Sequence, residues 1–330
     1  MVRRMTSNNT NVFKLQAVNQ TTASNNQIVT INLPSNSVIN MNSLALHFTA
    51  AVTNSAAGAP FVGFDADISS IIDRVEVLVG GVTVQQTFLQ YNTLHNLKRR
   101  LYDKINKQNS DTKVLMGSYP ANIGAANESA ANYVLDEWSG FLGEIAPQFL
   151  STNLLPMIQV RFYLAGPEVL RLSAAKLGGQ VLGFNLSNIY MTCECISVGD
   201  GMYQLALQEQ ISASGFIECA YKQYYAFTNS FNSNAQGLSA TARCSIAAQS
   251  LDALYAVHRD TTGTDSYQTG DQAQVAMAGV LGPANVGRYL NFTSAGVGEW
   301  QWSCNNVFIP QYRPTPDDAL HLVGVNKDEC

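Results

Sequence analysis

The residues best equipped for chemistry in this chain are the run Cys193-Glu194-Cys195, the carboxylate pairs Asp65-Ala66-Asp67 and Asp317-Asp318, and four histidines, His47, His95, His258 and His321. Thiolates and imidazoles suit soft metals, and clustered carboxylates suit calcium. Neither set meets the spacing its chemistry needs. On a strand, neighbouring side chains alternate faces, so Glu194 points away from both thiols. Cys193 and Cys195 face the same way and are badly placed to bridge each other. The histidines lie far apart, and the aspartates lack an EF-hand loop pattern. No H-E-x-x-H, G-x-S-x-G or G-x-x-x-x-G-K-[ST] run occurs. Gly178 and Gly183 have part of a phosphate-loop spacing, yet Phe184 stands where lysine is required. Two carboxylates would suffice for a glycosidase, and nothing singles out a pair. The sequence therefore predicts no catalytic residue, no cofactor and no bound metal.

Charge narrows the field further. Only 13% of the 330 residues are charged, against a usual ~25%, and the net charge is −5. Tight wrapping of nucleic acid needs many phosphate contacts from Lys and Arg. The only basic clusters are Arg3-Arg4 and Lys98-Arg99-Arg100. The second reads as the solvated face of a helix. Sequence-specific nucleic-acid binding is not expected. A surface built from Asn, Gln, Ser and Thr repels its own kind weakly and suits close lateral packing.

Six cysteines, Cys193, Cys195, Cys219, Cys244, Cys304 and Cys330, all fall in the second half. The start, Met1-Val2-Arg3-Arg4, runs into polar residues rather than an apolar signal core. Free, mostly buried thiols in a reducing cytoplasm follow. The sequons at Asn8, Asn19, Asn127, Asn185 and Asn291 read as chance in an Asn- and Thr-rich chain. No run approaches the ~20 apolar residues that cross a bilayer.

The elements that position these residues are β-strands. Ile72, Val75, Val77 and Val79 alternate with Asp73, Arg74 and Glu76, the period of a half-buried strand. Gly80-Gly81 supplies the positive φ angles of a two-residue turn, and Val82-Thr83-Val84 starts the return strand. Leu94, Leu97 and Leu101 mark a helix near 91–104. Further strands are expected at 28–33, 44–52, 156–164, 188–198, 216–227, 244–258, 300–309 and 320–325. A helix is expected over 202–211, capped by Asp200. Residues 105–140 read as a long excursion. Residues 1–26, polar and sparse in apolar side chains, read as an extended or disordered arm, either one that orders against a neighbour or a simply frayed terminus.

The run Val75-Glu76-Val77-Leu78-Val79-Gly80-Gly81, followed by Tyr91-Asn92 and a helix, resembles the first barrel of the double jelly-roll major capsid proteins of icosahedral viruses, many with an internal membrane. Asn188-Ile189-Tyr190, a helix ending near Glu209-Gln210, and Tyr221-Lys222-Gln223-Tyr224-Tyr225 resemble the opening of the second barrel. In size and style the chain looks most like the coat proteins of small lipid-containing bacteriophages of the single-stranded DNA type. The resemblance implies an all-β fold of two jelly rolls side by side, with short helices in the connecting segments. The arm would be 1–26, the first jelly roll 27–165, the linker 166–185 and the second jelly roll 186–330. It implies a homotrimer forming pseudo-hexagonal capsomers of a virion shell assembled in the host cytoplasm. Partners would be neighbouring capsomers, penton or minor capsid proteins, and the internal membrane at its periphery. Arg3 and Arg4 would touch phospholipid headgroups or genome phosphates beneath the shell. The chain would not be an enzyme. The other readings are a carbohydrate-binding β-sandwich, since 14 Tyr and 3 Trp can stack sugars, or a cytoplasmic β-rich enzyme.

Overall fold

Alternation of apolar and polar residues in the first 200 positions is realised as antiparallel strands in the computed structural model. The structure describes residues 8–55, 62–64, 68–85, 90–102, 129–153, 155–172, 180–198, 201–216, 218–229, 241–246, 250–258, 298–304 and 307–315. In chain order the strands are β1 Asn8–Gln16, β2 Ala23–Ser24, β3 Ile28–Asn32, β4 Val38–Asn54, β5 Val62–Gly63, β6 Ile72–Val79 and β7 Val82–Gln85. Helix α1 spans Tyr91–Tyr102. Then come β8 Ala131–Leu135, β9 Phe149–Ser151, β10 Ile158–Leu164, β11 Arg171–Leu172 and β12 Leu182–Val198. Helix α2 spans Gly201–Ser214, and β13 Trp302–Cys304 pairs with β14 Val307–Ile309.

Two sheets form a sandwich. One has the order β1-β12-β4-β8, with β2 beside β12 and β9 beside β4; the other has the order β3-β10-β6-β7. The chain passes back and forth between them: β3 in the second sheet, β4 in the first, β6 and β7 in the second, β8 and β9 in the first, β10 in the second, β12 in the first. Strands late in the chain thus lie between early ones, which is jelly-roll winding. The fold of the described residues is all-β with few helices.

Burial follows the pleat. Along β10, Ile158, Val160, Phe162 and Leu164 are buried while Gln159, Arg161 and Tyr163 are half-exposed. Phe162, Ile31, Val77, Phe184, Met191 and Ile39 have essentially no exposed surface. Each such side chain contributes about 1.5–3 kcal/mol of burial. Two bulges keep the long strands in step with the core. In β12 the register shifts between Ser187 and Tyr190, where Asn188 adopts φ 52°, so Leu186 and Ile189 both point inward. Opposite Glu194 the bulge in β4 is stitched by side chains: Ser43 Oγ donates to Asn40 O at 2.7 Å and accepts from Glu194 N at 2.8 Å.

The hairpin at β6 and β7 forms as the sequence predicts. Gly80 and Gly81 have φ of 60° and 84°, and Val79 faces Val82. Helix α1 also forms, and it packs on β6 and on the 3-10 turn Ile68–Ile71. Its Asn92 Nδ2 donates to Ser70 O at 2.9 Å.

Other expectations differ from the structure. The arm is not free: β1 pairs with β12 of its own chain, from Asn8 opposite Val198 to Gln16 opposite Tyr190. Ala17 then bridges Ile31, and Val18 N donates to Thr30 O, tying the segment to the second sheet. Leu15, opposite Met191, packs against the core, while Phe13, opposite Cys193, stays exposed; the alternation is too short to stand out among the Asn and Thr residues. Residues 182–198, divided above between linker and second barrel, form one strand at the centre of the first sheet. Part of the 105–140 excursion is β8, paired with β4, and residues 103–128 lie outside the described ones.

Residues 218–229 are not a strand. Tyr221 and Tyr224, three apart, both turn toward the sandwich, which a pleated strand cannot arrange. The described parts of 244–258 contain no strand, and 300–309 is a hairpin rather than one strand. Residues 320–325, Asp200, Asp65, Asp67, Asp317, Asp318, His321 and Cys330 lie outside the described residues, as do Arg3 and Arg4.

Candidate functional site

Strand parity assigns the chemistry-bearing residues to three places: inside the sandwich, on its two outer faces, and where α1 meets the second half of the chain. Inside lie Cys193 and Cys195, both fully buried, with sulfurs 3.6 Å apart and no disulfide. Burial, the neighbouring thiol's charge and its hydrogen bond push the Cys193 thiol up to about 12. A thiol held protonated is neither a nucleophile nor a metal ligand at neutral pH. Cys219 and Cys304 are half-buried and Cys244 is exposed, so most of the described thiols are not core residues. His95 is buried in α1 and stacks on Tyr91 at 5.6 Å, away from His47. Among the described residues no group of three or more His, Cys, Asp or Glu could hold a metal ion.

The outer face of the first sheet is a ladder of polar pairs. Asn40 Nδ2 donates to Glu194 Oε2 at 2.7 Å, Thr49 Oγ1 to Asn132 Oδ1 at 2.7 Å and Ser24 Oγ to Asn185 Oδ1 at 2.8 Å. His47 Nε2 lies 3.0 Å from Thr192 Oγ1 and stacks on Tyr190, with ring centres 4.7 Å apart. Lys14 of β1 covers the same tyrosine at 4.0 Å. Partial burial and the Lys14 charge hold His47 below its ordinary value, against the opposing pull of Asp136.

On the outer face of the second sheet, Glu76 takes a hydrogen bond from Tyr163 at 2.9 Å and pairs with Arg161 at 3.5 Å. Arg161 Nε reaches Gln159 at 3.0 Å, and Arg74 lies over the Tyr163 ring at 3.6 Å. Burial raises Asp73 above its ordinary value, opposed by Arg74. Around the Gly80-Gly81 turn, Val82, Leu155 and Met157 are 70%, 36% and 55% exposed, an apolar end to the sandwich.

At the third place, Lys98 is not a solvated helix residue. Its ammonium forms an ion pair with Glu144, donates to Tyr224 OH at 3.0 Å and lies 3.3 Å from Ser139 Oγ. The Tyr224 hydroxyl lies 2.8 and 2.7 Å from the two Glu144 oxygens, and Gly140 N donates to Oε2 at 2.9 Å. Burial would raise Glu144; the hydrogen bonds from Lys98, Tyr224 and Gly140, with the Lys98 charge, outweigh it and leave the group below its ordinary value. Sequence reasoning missed Glu144 and Tyr224, because no local pattern announces contacts across 46 and 126 residues. The side chains of Arg99 and Arg100 lie outside the described ones. No helix among the described residues is long and apolar enough to cross a membrane.

No family model matches the chain, and no curated protein matches it. Similar solved structures are viral capsid chains. The Faustovirus major capsid protein is 8% identical, covering 64% of this chain and 58% of that one, with a TM-score of 0.42. The PBCV-1 virus capsid is 9% identical, covering 62% and 46%, with a TM-score of 0.40. A chain of the Sulfolobus turreted icosahedral virus is 11% identical, covering 56% and 44%, with a TM-score of 0.31. This chain thus spans roughly half the length of the chains it matches. Identities this low carry no residue role from those chains to this one.

Proposed function

We propose that this chain is a structural coat protein, a major capsid protein of double jelly-roll type that assembles into homotrimeric, pseudo-hexagonal capsomers of a virion shell. One observation carries the reading. The run Val75–Gly81, its return strand and the Tyr91-Asn92 helix, the order on which the resemblance rests, lie together in a sandwich wound as a jelly roll. The surface chemistry supports it. The ionisable groups described are buried, paired with one another or spread over broad faces, and the polar ladder of the first sheet suits weak lateral contacts repeated many times.

In this reading the second jelly roll is built from the chain after β12, and the protein is not an enzyme. Neighbouring capsomers, penton or minor capsid proteins and, beneath the shell, an internal membrane are its partners, with Arg3 and Arg4 facing phospholipid headgroups or genome phosphates. The small lipid-containing phage type remains the style of virion proposed, assembled in the host cytoplasm. Size-exclusion chromatography with light scattering, followed by electron microscopy of the purified chain, tests the proposal. A stable trimer that tiles into sheets or shells is the expected result. A monomer at every concentration, or glycan binding in an array, overturns it.

A further inference from the structure

Beyond α2, the described segment Glu218–Tyr224 touches the sandwich. Ala220 and Ala146 exchange both backbone hydrogen bonds, Ala146 N to Ala220 O at 2.7 Å and Ala220 N to Ala146 O at 3.0 Å. Tyr221 OH donates to Val84 O at the end of β7 at 2.8 Å, and its ring meets Phe141 edge-on at 5.4 Å. Three residues on, Tyr224 closes the ion pair that joins Lys98 of α1 to Glu144. Cys219, Tyr221 and Tyr224 all pack against the sandwich core. A segment of seven residues, with no strand of its own, thus reaches the β7 end, α1 and the 139–146 loop at once.

We infer that Lys98, Glu144 and Tyr224 form a latch that locks the segment after α2 onto the sandwich, and that closing it fixes that segment in its assembly-competent position. The assembly half of this inference rests on the coat-protein reading; the latch itself does not. Lys98 and Glu144 belong to the sandwich and form a pair. Tyr224 comes from far along the chain and adds its hydroxyl to both members of that pair. The ring lies 5.1 Å from the ammonium and shields the pair from water, which strengthens the pair in turn. Pairs with one-fifth of their side-chain surface exposed sit between the weak surface regime and the costly buried one. That suits a contact meant to close and open without unfolding what lies beneath it.

Hydrogen exchange on the full-length chain tests this, read at the amides of Ala146 and Ala220 and at those of β4 and β10. Glu144→Gln keeps the size and removes the charge; Tyr224→Phe keeps the ring and removes the hydroxyl. Arg161→Gln breaks an ion pair within the sandwich and serves as the control. The expected result is about a tenfold or greater loss of protection at Ala146 and Ala220 in both latch variants, with β4 and β10 unchanged, and no such loss in the control. Light scattering should show fewer assembled particles for the latch variants alone. Unchanged protection at Ala220 overturns the latch. So does a parallel loss in β4 and β10, which would make the cluster part of the fold. An open latch with undiminished assembly overturns its assigned role. A wild-type chain that never assembles sinks the coat-protein reading while leaving the Ala220 result standing.

Discussion

His47 shows how a single side chain links the outer face to solution conditions. Its ring lies flat on Tyr190, and the Lys14 ammonium lies over the same tyrosine. Partial burial disfavours a charged ring, and a proton on His47 would also place two cations about one tyrosine, with Asp136 the opposing carboxylate. The folded chain therefore binds this proton less readily than the unfolded chain does. Stability is unaffected above the ordinary histidine value of 6.5 and falls as pH drops from there toward the lowered folded value. Glu144 behaves alike further down: its contribution is complete above the ordinary value of 4.5 and is lost as pH falls through its depressed folded value. Denaturant titrations should find His47→Gln losing less stability than wild type on going from neutral pH to the 5–6 range, about half a unit to one and a half units below the ordinary histidine value. Identical slopes for the two proteins in that interval would contradict the assignment. Neither environment is written locally. Tyr190 is remote from His47 in sequence, and the Glu144 partners come from α1 and from beyond α2.

Elements were legible where one short-range pattern decides them. The β6–β7 hairpin has both signals, β-branched alternation and two glycines at positive φ, and it formed as read. Gly80 is needed twice over. A Cβ there would lie 2.8 Å from Pro156 Cγ, and the φ of 60° is strained for any L side chain. Gly81 has open space around it and is bound only by its φ of 84°. Gly80→Ala should thus destabilise the chain by about 1–3 kcal/mol, whereas Gly81→Asn should cost well under half of that, since asparagine tolerates the left-handed region. Chemical denaturation measures both, and equal losses would show that the Pro156 contact does not matter. Elements decided by long-range pairing were not legible. β1 looked like a disordered arm because its apolar residues are few; what orders it is the exposed edge of β12, nearly the whole length of the sandwich away in sequence. β12 itself was split between a linker and a second domain, since the positive φ at Asn188 interrupts its alternation midway. The segment at 216–227 carried strand-like composition, yet its tyrosines are spent on docking at a spacing of three.

At the scale of the whole molecule, low charge and a self-satisfied surface make a joint claim about association. The chain carries 19 basic and 24 acidic residues among 330, and on both outer faces of the sandwich the side chains are already engaged with one another. On these described faces few charges remain to steer one copy toward another over long distances, and few repel at short distance. In the assembly proposed above, contacts between copies would then come from apolar surface and neutral hydrogen bonds, neither of which salt screens. Val82, Leu155 and Met157 at the turn end, and Val12 and Phe13 on β1, are among the exposed apolar residues the sandwich offers for this. Raising the ionic strength from about 0.05 to about 0.5 M shortens the screening length roughly threefold. A shell held by ion pairs would loosen over that interval; one held by these residues should keep its assembly midpoint within about twofold, or tighten as apolar burial strengthens. Light scattering across a salt series decides between them. A midpoint that climbs steeply with salt would mean that charges outside the described residues, rather than the faces of this sandwich, hold the copies together.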